Sequence, residues 1–115
     1  MQFSTALKQN HIFRRLYAKG SSCVGHSAVV YCRRNGLNVN RVGICVSTKL
    51  GHAVVRNRAR RRLREVYRLN EPRFCAGFDI VLVARSRTVK VQFSVLETEL
   101  LRQFSDLGLL KEVSG

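Results

Sequence analysis

The segment Val55–Arg68, VRNRARRRLREVYR, places seven arginines and a single glutamate within fourteen residues. Such a segment can fold in few ways, because guanidinium groups are not buried without partners. The pattern running from Ala53 to about Leu69 is helical, and Asn70 and Pro72 end it. At about 100° per residue, Val55, Ala59, Leu63 and Val66 line up as one narrow apolar stripe. Asn57, Arg60, Arg61, Arg64 and Arg68 form a solvent-facing row, with Arg58 and Arg62 at its far edge and Arg56 bordering the stripe. The stripe needs an apolar surface to dock on, and the remainder of the chain has to supply it.

That surface reads as a sheet. Ser27–Arg33, SAVVYCR, alternates as a strand with Val29 and Tyr31 on one face and Ala28, Val30 and Cys32 on the other. Arg41–Ser47, RVGICVS, is a second strand, and the intervening RNGLN is turn chemistry, so the two are expected to form a hairpin. Phe78–Arg85, FDIVLVAR, is apolar enough to lie inside a sheet. Upstream, TALKQNHIFRRLYAKG reads as a short helix with Leu7, Phe13, Leu16 and Tyr17 at helical spacings and Gly20 as its stop. Downstream, Phe93, Leu96, Leu100, Phe104 and Leu107 mark a closing amphipathic helix, starting at the capping box Ser94–Glu97 and ending at Gly108. The order is α, β, β, α, β, α, with an additional short strand around Ser21–Val24. It predicts an α+β fold, a two-layer sandwich of helices on a small mixed sheet. Over 115 residues it predicts one domain, 1–115.

The apolar fraction of 45% fits a folded chain rather than a disordered basic tail. There is no apolar run of about 18 residues to span a membrane. MQFSTALKQNHIFRR lacks the apolar centre and cleavage site of a signal peptide. Cys23, Cys32, Cys45 and Cys75 contain no CxxC pair, and His11, His26 and His52 do not complete a zinc site. The thiols are expected to be reduced, in a cytoplasmic protein.

Charge is distributed very unevenly. Residues 1–70 hold 15 lysines and arginines against one acid, Glu65, whereas residues 71–115 hold six of each sign. The entire net charge of +14 therefore lies in the first part of the chain, and a polyanion is its natural counterweight. A solvated helix face is the plain alternative, but such faces usually alternate in sign at four-residue spacing. Here Arg60–Arg64–Arg68 and Arg58–Arg62 are like-charge neighbours, and only Arg61 and Arg62 stand within reach of Glu65. Arginine grips phosphate through two parallel hydrogen bonds and stacks on bases, which lysine does not. A leucine-zipper DNA binder would continue into heptads, and this helix stops at Asn70–Pro72. A rigid helix on a sheet suits structured RNA, recognised through shape, phosphates and 2′-hydroxyls. No Ser/His/Asp set, carboxylate pair or histidine pair marks a self-contained nuclease.

Arg41–Arg68, RVGICVSTKLGHAVVRNRARRRLREVYR, closely resembles the signature of the bacterial ribonuclease P protein subunit. That family shows R-x-G-x-x-V-S-x-K at a strand end, then G-x-A-V-x-R-N-R and a basic helix ending in R-x-x-R-E. Ile12–Gly20, IFRRLYAKG, resembles its N-terminal F-x-x-V-F/Y-x-x-G element, and Tyr31 stands where an aromatic is usual. The similarity covers most of residues 7–85. Two positions depart from it: Thr48 stands where lysine is common, which removes one RNA contact, and Arg60 replaces a frequent lysine with its charge kept.

The resemblance implies a fold with a left-handed β-α-β crossover, against the usual handedness. It implies an endonuclease holoenzyme that removes the 5′ leader of precursor tRNA, with the chemistry carried by Mg²⁺ on the catalytic RNA. No catalytic residue and no metal ligand is then expected in the protein, nor is a protein partner required. Contact with the RNA subunit falls on Lys49, Arg56, Asn57, Arg58, Arg60, Arg61, Arg64 and Arg68. The leader falls in a cleft between the first helix and the sheet face of Tyr31. Phe13, Tyr17 and Tyr31 would stack on unpaired bases there. Phe13 reads equally well as a core residue. A ribosomal or other structured-RNA-binding protein without a processing role is the competing reading.

Overall fold

Strand Phe78–Ala84 (β5) is the most apolar of the chain, and it occupies the centre of the sheet. The computed structural model describes the backbone of residues 4–6 together with residues 17 and 19–111. The other strands are Ser4–Ala6 (β1), Ser21–Val24 (β2), Ala28–Arg34 (β3) and Asn40–Cys45 (β4). They form one mixed sheet in the order β1-β4-β5-β3-β2. β4 runs parallel to β5 and to β1, while β3 is antiparallel to β5 and to β2.

The expected hairpin of the second and third long elements is therefore wrong: β5 lies between β3 and β4. The physical reason is burial. Asp79, Ile80, Val81 and Leu82 are all buried, so β5 needs cover on both faces and a neighbour on both edges. The turn chemistry after β3 is real, but it carries the chain past the one intervening strand. Asn35 accepts the Leu37 N–H at 2.8 Å and donates to the Val39 carbonyl at 3.1 Å, which keeps this wider loop closed. Parallel β4 and β5 are joined through a helix, the crossover that such pairing requires.

Two helices lie on one face of the sheet. Ala53–Asn70 (α1) buries Ala59, Leu63, Val66 and Tyr67, and Phe93–Asp106 (α2) buries Leu96, Leu100 and Phe104. They share one core with Ala28, Val30 and Cys32 of β3 and Ile80 and Leu82 of β5. Phe74 sits between the rings of Tyr67 and Phe104, at centroid distances of 4.6 and 4.9 Å. Each fully buried leucine contributes about 1.5–3 kcal/mol, so this stripe holds α1 down despite its charge.

The helix ends are tied by polar groups. Asn70 at the end of α1 donates to the Val66 carbonyl at 2.8 Å and to Glu97 Oε2 at 3.0 Å. That contact takes Glu97 away from the expected capping box. α2 instead begins at Phe93 behind Gln92, with Ser94 already inside the helix. At its other end Gly108 adopts φ 74°, and Leu109 N–H reaches back to the Phe104 carbonyl at 2.9 Å. The first-helix residues Leu7, Phe13 and Leu16 lie outside the described residues. Tyr17 and Lys19 are helical, and Thr5–Ala6, read as the start of that helix, belong to β1.

One arginine of α1 is structural. Arg62 turns away from solvent and donates to the carbonyls of Thr88 at 2.9 Å and Val91 at 2.6 Å. It bolts α1 to the short turn Ser86–Val89, whose Thr88 hydroxyl in turn holds the Ser27 carbonyl at 2.5 Å. Partial burial, and then the charge of Arg58, draw its pKa below that of a free guanidinium. Replacing Arg62 with alanine orphans two carbonyls and is expected to cost about 2 kcal/mol of folding stability. Arg61→Ala, one residue earlier and exposed, should stay within about 0.5 kcal/mol of wild type. Denaturant titration of the two variants compares them directly, and equal losses would refute the distinction.

Candidate nucleic-acid interface

The narrow stripe that docks α1 leaves the opposite side of the helix to solvent. Asn57, Arg58, Arg61, Arg64 and Arg68 are exposed, and Arg60 and Arg56 are half-buried. The expected pairing of Glu65 with Arg61 or Arg62 is not made. Glu65 instead chelates Arg68 at 2.9 and 2.5 Å, three residues on, which lowers the pKa of its carboxyl. Arg68 is thus partly neutralised, and Arg60 is oriented by the Asn57 carbonyl oxygen at 3.2 Å. Arg58, Arg61 and Arg64 have no acidic partner among the described residues. These three, with Arg62, Glu65, Arg68 and the Phe93 ring, line a groove of about 470 Å³ between α1 and the start of α2.

The beginning of α1 strengthens this field. The turn Thr48–Leu50 carries the exposed Lys49, whose N–H is bound to Ser47 Oγ at 3.1 Å. The first turn of α1 contains no acidic residue and its N-cap, His52, makes no side-chain cap bond. The positive end of the helix dipole therefore adds to the arginine row instead of being offset. Arg56 Nε is buried there without a hydrogen-bond partner among the described residues.

The other face of the sheet holds the aromatic cleft. Alternation along β3 sends Val29, Tyr31 and Arg33 to this side, and the register aligns them with Val83, Val81 and Asp79 of β5. Tyr17 packs edge-on against Tyr31 with ring centroids 4.8 Å apart. Its hydroxyl lies 3.2 Å from the Cys45 thiol. Partial burial, and then that contact, push the Tyr17 phenol well above its ordinary pKa, so it stays neutral at any physiological pH. Tyr17 remains 45% exposed, which leaves ring surface available for stacking.

The predicted residues thus separate onto two surfaces. Lys49 and the α1 row lie on the helix side, Tyr17 and Tyr31 lie on the far side of the sheet, and Phe13 lies outside the described residues. Tyr67 and Arg62 escaped the sequence reading as structural residues. Tyr67 follows Ala59 and Leu63 at four-residue spacing, which was a signal for its burial, whereas the carbonyl partners of Arg62 lie 26 and 29 residues along the chain. Arg33 was passed over as well, although its place two residues after Tyr31 was a signal. Among the described residues, no three His, Cys, Asp or Glu side chains gather to hold a metal. Asp79 is committed to Arg41 at 2.6 and 2.7 Å and Glu65 to Arg68, so neither is free for acid–base work.

Known proteins with this architecture are informative. The family model for ribonuclease P matches residues 1–108. The ribonuclease P protein component of Natranaerobius thermophilus is 41% identical over 106 residues, covering 92% of each chain. The Staphylococcus aureus RNase P protein superposes with a TM-score of 0.82 at 30% identity, covering 92% of this chain and 97% of its own. The Thermotoga maritima RNase P protein does so with a TM-score of 0.78 at 32% identity, covering 96% and 98%. With the same fold and this extent of shared sequence, the chain belongs to the ribonuclease P protein family.

Proposed function

We propose that this chain is the protein subunit of a ribonuclease P holoenzyme and binds two RNAs through two faces. The observation that carries the proposal is the exposed guanidinium set Arg58, Arg61 and Arg64, without an acidic partner among the described residues, on a helix where Arg62 is held by the Thr88 and Val91 carbonyls, Arg68 by Glu65 and Arg60 by Asn57. A face of that kind is satisfied by phosphates, and it docks on the catalytic RNA. The Tyr17–Tyr31 cleft holds the single-stranded 5′ leader of precursor tRNA by stacking. We assign the chemistry to the RNA and its Mg²⁺; among the described residues no three His, Cys, Asp or Glu side chains gather as metal ligands. The protein supplies binding and positioning, as one domain that needs no other protein. We place its work in the cytoplasm. Among the described residues, no helix is long and apolar enough to cross a membrane.

The two faces are separable by substitution. Arg60→Ala, Arg61→Ala and Arg64→Ala should weaken assembly with the catalytic RNA. Each should reduce the log–log salt slope by about one unit per lost phosphate contact. Filter binding across a salt series reads both quantities, and an unchanged slope would remove this row from the RNA interface.

Tyr17→Ala and Tyr31→Ala should leave assembly intact. Each should weaken binding of leader-bearing precursor by about 1–3 kcal/mol, while mature tRNA binds as before. Equal losses for precursor and mature tRNA would show that the tyrosines only support the fold. The RNA-free protein should not cleave precursor at any Mg²⁺ concentration. Robust cleavage by it would overturn the assignment of chemistry to the RNA.

A further inference from the structure

Arg33 belongs neither to the arginine row nor to the core. It follows Tyr31 by two residues on β3, so both side chains leave the same face of the sheet, about 7 Å apart along the strand. The register sets Arg33 opposite Asp79 of β5, with Arg41 of β4 opposite the same residue on its other side. Asp79 would be the natural counter-ion for either arginine, and it is fully committed. Arg41 donates to both its oxygens at 2.6 and 2.7 Å, and Asn35 Nδ2 adds a third bond at 3.1 Å. Arg33 is left half-buried with no ion pair, and its Nη1 is shielded from water without a hydrogen-bond partner among the described residues. A shielded cationic donor with no acceptor is costly, and an anion is the group that relieves it. No carboxylate of residues 1–70 can do so, since Glu65 is the only one and it is bound to Arg68.

We propose that Arg33 binds a phosphate of the leader strand whose base stacks in the Tyr17–Tyr31 cleft, an inference that rests on that cleft being the leader site. The cleft then has two parts, an aromatic pair that takes a base of any sequence and a guanidinium that fixes the backbone beside it. The side-chain spacing along β3 is of the order of one nucleotide of extended strand. Asp79, held by Arg41 and Asn35, keeps Arg33 free for the incoming phosphate instead of pairing with it.

The test uses the reconstituted holoenzyme with precursors in which single leader phosphates are replaced by uncharged methylphosphonates. Arg33→Met, which keeps the aliphatic stem, should weaken precursor binding about tenfold, as loss of a charged hydrogen bond does. It should reduce the salt slope by about 0.7, the single-strand value for one phosphate. Assembly and mature-tRNA binding should be unchanged, and Arg33→Lys should restore part of the loss. In the wild-type holoenzyme one methylphosphonate position should give a similar loss, and that position should add nothing further in Arg33→Met. Losses that add at every leader position would overturn the proposal, as would an effect of Arg33→Met on assembly or on mature tRNA. The modified substrates decide the matter on wild-type protein even if the variant folds poorly. If Tyr17→Ala and Tyr31→Ala leave the preference for precursor over mature tRNA intact, the cleft itself is not the leader site and Arg33 falls with it. If they abolish that preference while the phosphate losses add, only Arg33 falls.

Discussion

The arginine face of the molecule depends on the packing of Leu63, Val66 and Tyr67 into one core with the central strand β5, with Ala59 buried beside them. That stripe is narrow. It fixes the rotation of a helix that would otherwise have no reason to prefer one orientation in water, and so decides which guanidinium groups face out. The like-charge neighbours along α1 oppose helix formation by a few tenths of a kcal/mol per pair. Apolar burial exceeds that cost several-fold, because each buried leucine alone contributes about 1.5–3 kcal/mol. The charged face is thus carried by the core beneath it, and mild repulsion persists until a polyanion relieves it.

Much of this was legible in the sequence. The period of α1, its end at Asn70, the alternation of β3 and the short strand Ser21–Val24 follow from local patterns, and the structure reproduces them. What local patterns could not supply was strand order. Turn residues after Arg34 favour reversal of the chain but do not say which strand fills the gap, and β5 took the place a hairpin partner would have had. Partner choice among charged groups was equally hidden. Glu65 had arginines at several helical spacings and chose Arg68, and Glu97 left a plausible cap to reach Asn70. Of the site, the arginine row was readable because amphipathic rotation alone defines it. Arg62's structural role and Arg33's isolation were not, since both depend on groups 26 or more residues away in the chain.

The sheet separates the two candidate surfaces by its own thickness. The helices α1 and α2 with the exposed arginine row occupy one side, and the tyrosine pair with Arg33 occupies the other. Alternation along β3 makes the separation unavoidable: Ala28, Val30 and Cys32 are committed to the core, so Val29, Tyr31 and Arg33 must face away from it. A single strand thereby serves the fold with one set of residues and the cleft with the other. A one-residue slip of β3 against β5 would exchange them and destroy both.

The central position of β5 also sets an order of events during synthesis. β3 and β4 leave the ribosome first, yet neither is the other's neighbour, and both wait for a strand that begins at Phe78. The whole of α1 is made in that interval, before the surface on which its stripe packs exists. The chain therefore emerges with its most cationic segment complete and its sheet open, and the long-range pairings that close it come last. The segment that carries the arginine row is thus exposed to polyanions before the strand against which its stripe packs has been made.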